Sequence, residues 1–277
     1  MKALDLIFGV ASPVLGKISP AALANAESAR RRLALWRQYR AFHAQIKAKL
    51  FPNGGPVQIQ SGPFKGLQYI DEIVWGSITP RWMGSYESEL HPVVTQIIQR
   101  PYGTVIDVGS AEGFYAVGLA AKMPKCKLFA FDIDYMSRRQ VARLSQMNKV
   151  EDRVTIGSYC DYADIDRLSV PGDTLLVCDI EGHELGLMDP SKAPSLRDID
   201  LLVEIHDESH NPVNEQTLTQ RFSSSHNVQK IPQTDRAQWM RENPQIISAI
   251  PEEFRLKALD EGRHAQHPQS WLWMTGR

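Results

Sequence analysis

Two short acidic stretches carry the residues best equipped for chemistry. In CDIEGHE (residues 178–184) Asp179, Glu181 and His183 follow an apolar run, and in EIHDESH (residues 204–210) Glu204, His206, Asp207 and His210 follow another. A histidine with an ordinary pKa near 6.5 suits proton transfer at neutral pH, and a nearby carboxylate can accept a proton or an amine. His206 is therefore the candidate base or orienting group, Glu181 the candidate acceptor, Asp179 their neighbour and His183 a weaker candidate. Asp179, Glu181, His206, Asp207 and His210 could also hold a divalent metal that lowers the pKa of a hydroxyl. The interval from His206 to His210 lacks the helical HExxH context, so a metal is the second reading.

A third stretch, DVGSAEG (residues 107–113), has glycines four apart, Gly109 and Gly113. A dinucleotide fingerprint would need another glycine where Ala111 stands, and it holds a pyrophosphate at a helix N-terminus. Asp107 and Glu112 would repel two phosphates, but they suit a ligand that is positively charged and phosphate-free, such as S-adenosylmethionine. A ribose needs an acid about 20 residues beyond the turn. LFAFDID supplies Asp132, with Asp134 as the second candidate.

These stretches need strand ends to position them. Apolar runs place strands near 104–109, 127–133, 153–158, 174–180, 199–206, 227–232 and 271–275. Helical patterns fall near 113–122, 136–147, 182–188 and 213–222. Such alternation implies a mainly parallel sheet covered on both faces, with ligands beyond the carboxyl ends of its strands.

Residues 84–277 are read as this domain, and residues 1–83 as a basic helical arm plus a small β-hairpin at 56–70. In the arm, Leu35, Tyr39, Phe42, Ile46 and Leu50 recur at helical spacing among Arg30, Arg31, Arg32, Arg37 and Arg40. That helix can pack on its own domain, lie on an anionic membrane or dock on a partner. GSYESEL (residues 84–90) starts a helix expected from Tyr86 to Ile98. Ser85 would cap it and Glu89 add charge to its first turn, or Tyr86 and Glu87 would fold over a bound ammonium as a lid.

Net charge is −1, yet residues 1–50 hold nine Lys/Arg against two Asp/Glu. The composition, 43% hydrophobic and 23% charged, is that of an ordinary globular protein. Three cysteines without CxxC spacing, Cys126, Cys160 and Cys178, argue against a disulfide framework or zinc site and for a reducing compartment. The opening 26 residues imitate a signal peptide, but Asp5, Pro13 and Lys17 weaken the imitation, and a cytoplasmic protein is expected.

GSYESEL, VIDVGSAEGFYAVGLA, AFDID, LLVCDIEGHE and LLVEIHD together resemble the class I S-adenosylmethionine-dependent methyltransferases, and within them the FkbM-like group. The resemblance spans roughly residues 84–230. It implies a Rossmann-like seven-stranded sheet and methyl transfer, commonly to a hydroxyl oxygen. Carried over by residue, Asp107, Gly109, Ser110 and Gly113 would line the methionine end, with Phe114, Tyr115, Asp179 and Glu87 nearby. Asp132 would bind the ribose, and Ser158, Tyr159, Cys160 and Asp161 would surround the adenine. The expected acceptor is a small-molecule or glycan hydroxyl. Nucleic acid is disfavoured because the body is acidic and lacks an RNA-binding module. A non-catalytic binding protein, or another use of the sulfonium, stays open. His226 is read as structural, and Trp239, Trp271 and Trp273 as buried aromatics rather than pocket walls.

Overall fold

The computed structural model describes residues 20–72, 76–207, 213–262 and 269–277. The signal-like opening, up to residue 19, and His210 lie outside the described residues. Among them, no helix is long and apolar enough to cross a membrane.

The chain alternates β1 (Thr104–Val108), α4 (Phe114–Lys122), β2 (Lys127–Phe131), α5 (Tyr135–Met147), β3 (Val154–Gly157), α6 (Tyr162–Leu168), β4 (Thr174–Cys178), α7 (Glu184–Leu187), β5 (Asp200–Ile205), α8 (Val213–Phe222) and β6 (His226–Pro232). Three helices precede this run: α1 (Pro20–Leu50), α2 (Thr79–Met83) and α3 (His91–Gln99). After it come α9 (Arg236–Glu242), α10 (Pro244–Ile247), α11 (Arg255–Ala258) and β7 (Ser270–Gly276). One sheet results, in the order β3-β2-β1-β4-β5-β7-β6, with β7 antiparallel to both neighbours. The expected mainly parallel seven-stranded α/β sheet is thus present.

Strand side chains alternate between two cores, as the period of two requires. Val105, Leu175, Val177 and Leu202 join α3, α4 and α5 on one face. Ile106, Leu176, Cys178, Leu201, Val203 and Ile205 join α6 and α8 on the other. Because both faces are covered, β1 and β4 are buried at every position and largely apolar, with Asp107 the one acid, in β1.

The hairpin region is short. Gln58 and Gln68 form a single antiparallel bridge, and the Ile59 and Tyr69 amides donate to the Leu67 and Val57 carbonyls. Val57, Ile59, Phe64, Leu67 and Tyr69 join the first core beside α4. Phe42 and Ile46 of α1 pack with Trp239, Ile246, Ile247 and Ile250 in a third cluster.

The helix expected from Tyr86 begins instead at His91, where Pro92 has no N–H to leave unsatisfied, and residues Ser88–Leu90 form a 3-10 turn before it. Ser85 does not cap it. Its hydroxyl faces the Pro80 carbonyl, and Gly84, in the left-handed region, closes α2.

Candidate active site

Strand order reverses between β1, flanked by β2, and β4, so a crevice opens beyond the carboxyl ends of β1 and β4. The glycine turn and Asp179 meet there. A Cβ on Gly109 would lie 1.6 Å from the Asp179 carbonyl oxygen, and Gly109 has φ +84°, so only glycine lets the two backbones approach this closely. Ala111 has φ +44°, the left-handed conformation that a dinucleotide fingerprint would give to glycine. The Asp132 carboxylate holds it there, accepting the Ala111 amide at 2.8 Å and the Asp134 amide at 2.7 Å.

Carboxylates crowd this crevice. Asp107 is buried on β1, and its Oδ2 has no hydrogen-bond partner among the described residues. Burial first, then the charges of Asp179 and Asp132, push its pKa up to about 8 against a relieving bond from the Ala116 amide. Burial also lifts Asp132 to about 6 despite the two amides it accepts. Asp179 is raised by burial and by the Glu87 charge. Glu87 is itself buried and accepts the Tyr115 hydroxyl.

Glu112 corrects one expectation. It turns away from the crevice to pair with Arg81 at 2.5 Å and to accept the Tyr69 hydroxyl at 2.9 Å, so it adds no net charge at the turn. Phe114 packs edge-on to Phe64, Tyr69 and Tyr86 in the first core. Glu89 lies in the 3-10 turn Ser88–Leu90 and pairs there with Arg236 at 2.7 Å.

Other expected residues are placed as follows. Ser110 and Gly113 sit in the turn, Gly113 as the residue preceding α4. Asp134 caps α5, accepting the Ser137 amide and hydroxyl. Asp161 caps α6 in a reciprocal box with Asp164. Cys160 is buried in the second core, whereas Ser158 and Tyr159 are exposed beyond β3. Ile133 and Tyr135, which sequence reasoning missed, are also exposed, beyond β2. Ile133, Tyr135 and Tyr159 thus stand exposed just beyond the ends of the paired strands β2 and β3.

A second group assembles beyond β4 and β5. Their register, Cys178 beside Val203, brings Asp179 alongside Glu204 and carries His206 past both. His206 Nε2 lies 3.5 Å from Glu181, 3.6 Å from Glu204 and 3.8 Å from Asp179. Nδ1 is 2.9 Å from Glu184 Oε1, which also accepts the Gly182 amide at 3.0 Å. Sequence reasoning passed over Glu184, the one acid of CDIEGHE whose side chain is fully buried. Burial lowers the His206 pKa, but the Glu184 bond and the Asp179 charge outweigh it and hold the imidazole above its usual value. Glu181 has φ +54° and is exposed, so its carboxylate reaches the group from the solvent side.

Three candidates are committed elsewhere or stand apart. Asp207 caps α8 through the Asn214 and Glu215 amides. His183 precedes α7, exposed. His226 is buried between Ser225 and the Ile199 carbonyl, the structural role expected. Trp239, Trp271 and Trp273 are buried.

No family model matches the chain, and no curated protein does. Among solved structures it is similar to a provisionally assigned O-methyltransferase of Klebsiella pneumoniae, at 11% identity and a TM-score of 0.44 over 69% of this chain and 81% of that one. It is also similar to an S-adenosylmethionine-dependent methyltransferase of Geobacter sulfurreducens solved with S-adenosyl-L-homocysteine, at 14% identity and 0.42 over 69% and 91%.

Proposed function

We propose that the chain is an S-adenosylmethionine-dependent methyltransferase acting on a hydroxyl of a small molecule or glycan. The observation that carries this reading is the set of carboxylates around the glycine turn. Asp107 is held largely neutral by Asp179, Asp132 and burial, and its partnerless oxygen is costly unless a donor or cation meets it. A sulfonium and an ammonium supply positive charge without a phosphate, and a nucleoside end fits Asp132 with Ile133, Tyr135 and Tyr159 around it.

When bound, S-adenosylmethionine supplies an electrophilic methyl carbon whose bond to sulfur breaks with the electron pair staying on sulfur. The protein's part is positioning and proton transfer. Asp107 and Glu87 face the positive methionine end. Asp132 keeps acceptor capacity for ribose hydroxyls, because two amides use about two of a carboxylate's roughly four lone-pair sites. His206, oriented by Glu184, takes the acceptor's hydroxyl proton as its oxygen bonds to the methyl carbon, and Glu181 passes that proton to solvent. Alignment to about 3 Å accounts for much of the acceleration.

The finer assignment to the FkbM-like group rests on the motif resemblance, with DIEGHE and VEIHD its more distinctive parts. Buried, unpaired Cys126, Cys160 and Cys178 agree with a reducing cytoplasm.

Calorimetric titration with S-adenosylmethionine and S-adenosylhomocysteine tests the reading. Micromolar binding, weakened at least tenfold in Asp107→Asn and in Asp132→Asn, is expected. Absence of binding to either ligand in the folded wild type would sink it.

A further inference from the structure

The side chains around His206 form a centre that the cofactor does not need. Three observations define it. First, Nδ1 is fixed: Glu184 Oε1 is buried and already accepts the Gly182 amide, so it acts as an acceptor and the Nδ1–H donates to it. Nε2, the other ring nitrogen, points away from Glu184 and is the atom that a cation would meet on displacing its proton.

Second, among the described residues that nitrogen faces three carboxylates but makes no hydrogen bond. Nε2 and Asp179 Oδ1 are buried atoms without a hydrogen-bond partner among the described residues. The neighbouring carboxylate oxygens stand 3.5 to 3.8 Å from Nε2, beyond ordinary hydrogen-bond lengths. Third, one atom each from Asp179, Glu181 and His206 lies within 4.8 Å of the other two. An ion with bonds of about 2.0–2.2 Å holds its donors about 3 to 4.4 Å apart, so little closing is required.

We propose that Asp179, Glu181 and His206 bind one divalent first-row cation of the manganese or zinc class, with Glu184 as the positioning residue that presents Nε2. One imidazole with carboxylates selects such ions over magnesium or calcium, which prefer all-oxygen sites. A carboxylate on the far nitrogen of a metal-bound histidine is the usual means of fixing its tautomer and raising its basicity. Glu204, at 3.6 Å from Nε2, adds negative charge from β5.

Glu181 projects from a loop residue with φ +54° while the other two are set by strand ends. The centre therefore has two preset donors and one that reaches in from solvent. Asp179 belongs to the strand end against which the glycine turn packs, so a cation here lies next to the methionine end of the crevice. With Nε2 on the cation, His206 cannot also be the base; lowering the acceptor hydroxyl's pKa then replaces that role, and this use rests on the methyl-transfer reading. The cation site itself does not.

The experiment titrates the full chain, stripped with EDTA and desalted, with manganese followed by electron paramagnetic resonance and with cobalt followed by visible absorption. Wild type, Glu181→Gln, His206→Gln and Glu184→Gln are compared, and S-adenosylhomocysteine is titrated separately in EDTA. One cation per chain is expected, at least tenfold weaker in Glu181→Gln, whose exposed position leaves folding untouched. Glu184→Gln should retain the cation and shift the cobalt spectrum, and His206→Gln should lose the nitrogen contribution. No saturable uptake by wild type, or uptake by Glu181→Gln and His206→Gln as tight as by wild type, overturns the cation site. S-adenosylhomocysteine binding in EDTA would then leave the methyltransferase reading intact. Cation uptake without S-adenosylhomocysteine binding would keep the cation site and remove that reading.

Discussion

At Asp107 the protein keeps an acid where water cannot stabilise its charge. Its unfolded pKa is near 4 and its folded value is raised to about 8. The folded state therefore binds the extra proton between those limits, and stability contributed by this group is complete below pH 4 and lost as pH rises toward 8. Asp179, Asp132 and Glu87 face the group, and the Ala116 amide opposes them. Urea denaturation from pH 5 to 8.5 should show stability falling in wild type and a flatter profile in Asp107→Asn, with the variant the more stable by several kcal/mol at pH 8. A cationic ligand reverses the sign. Binding at pH 7 should release protons, measured by calorimetry in buffers of different ionisation enthalpy, and affinity should rise from pH 6 to 8.

The glycine turn gives a second contrast. Gly109→Ala should destabilise by about 3 kcal/mol or more, because the new methyl meets the Asp179 backbone at 1.6 Å. Ala111→Gly relieves a left-handed alanine and should be neutral to about 1 kcal/mol stabilising, since backbone relief is partly offset by unfolded-chain entropy. Thermal denaturation of the two variants reads both signs. Ala111 also shows what the sequence conceals. Its departure from the glycine pattern was legible, but its retention of a glycine's backbone was not, because that depends on Asp132, 21 residues away.

At the scale of elements, the strands could be read from their apolar residues, most clearly β4 and β5, but their order in the sheet was not legible, because it depends on which strands meet in space. Long-range polar pairs left no such trace. Arg81 neutralises Glu112 across 31 positions, and Arg236 joins α9 to the segment before α3 by pairing with Glu89 and with Glu261, whose Oε1 accepts the Glu87 amide. Charge counts along a chain cannot show which acids find a partner. The Arg236 clasp is deep enough to matter, because its two carboxylate side chains are 1% and 2% exposed. Arg236→Met leaves both uncompensated and should cost about 3 to 5 kcal/mol in urea denaturation. Amide exchange at residues 85–90 should quicken, because Glu261 and Arg236 both hold that segment.

For the whole molecule, the described residues divide α1 into two unequal parts. Phe42 and Ile46 are core residues, whereas Trp36 is exposed with Arg40 over its ring. A chain beginning at Tyr39 should keep its melting temperature within a few degrees and bind S-adenosylhomocysteine as the full chain does. Ile46→Ala should lose about 2 to 5 kcal/mol. Equal loss in both would show that the basic half is part of the fold and not an appendage.

The placement of β7 also governs how the chain is made. It separates β5 from β6 although it leaves the ribosome after both. Until residues 270–276 emerge, the nascent protein carries two unfilled sheet edges, one of them the wholly apolar stretch Leu201–Val203. Such edges recruit other chains. Synthesis that stalls or stops between Pro232 and Ser270 should therefore yield not a shortened enzyme but an aggregating one. The protein's exposure to chaperones is thus set by when β7 is translated.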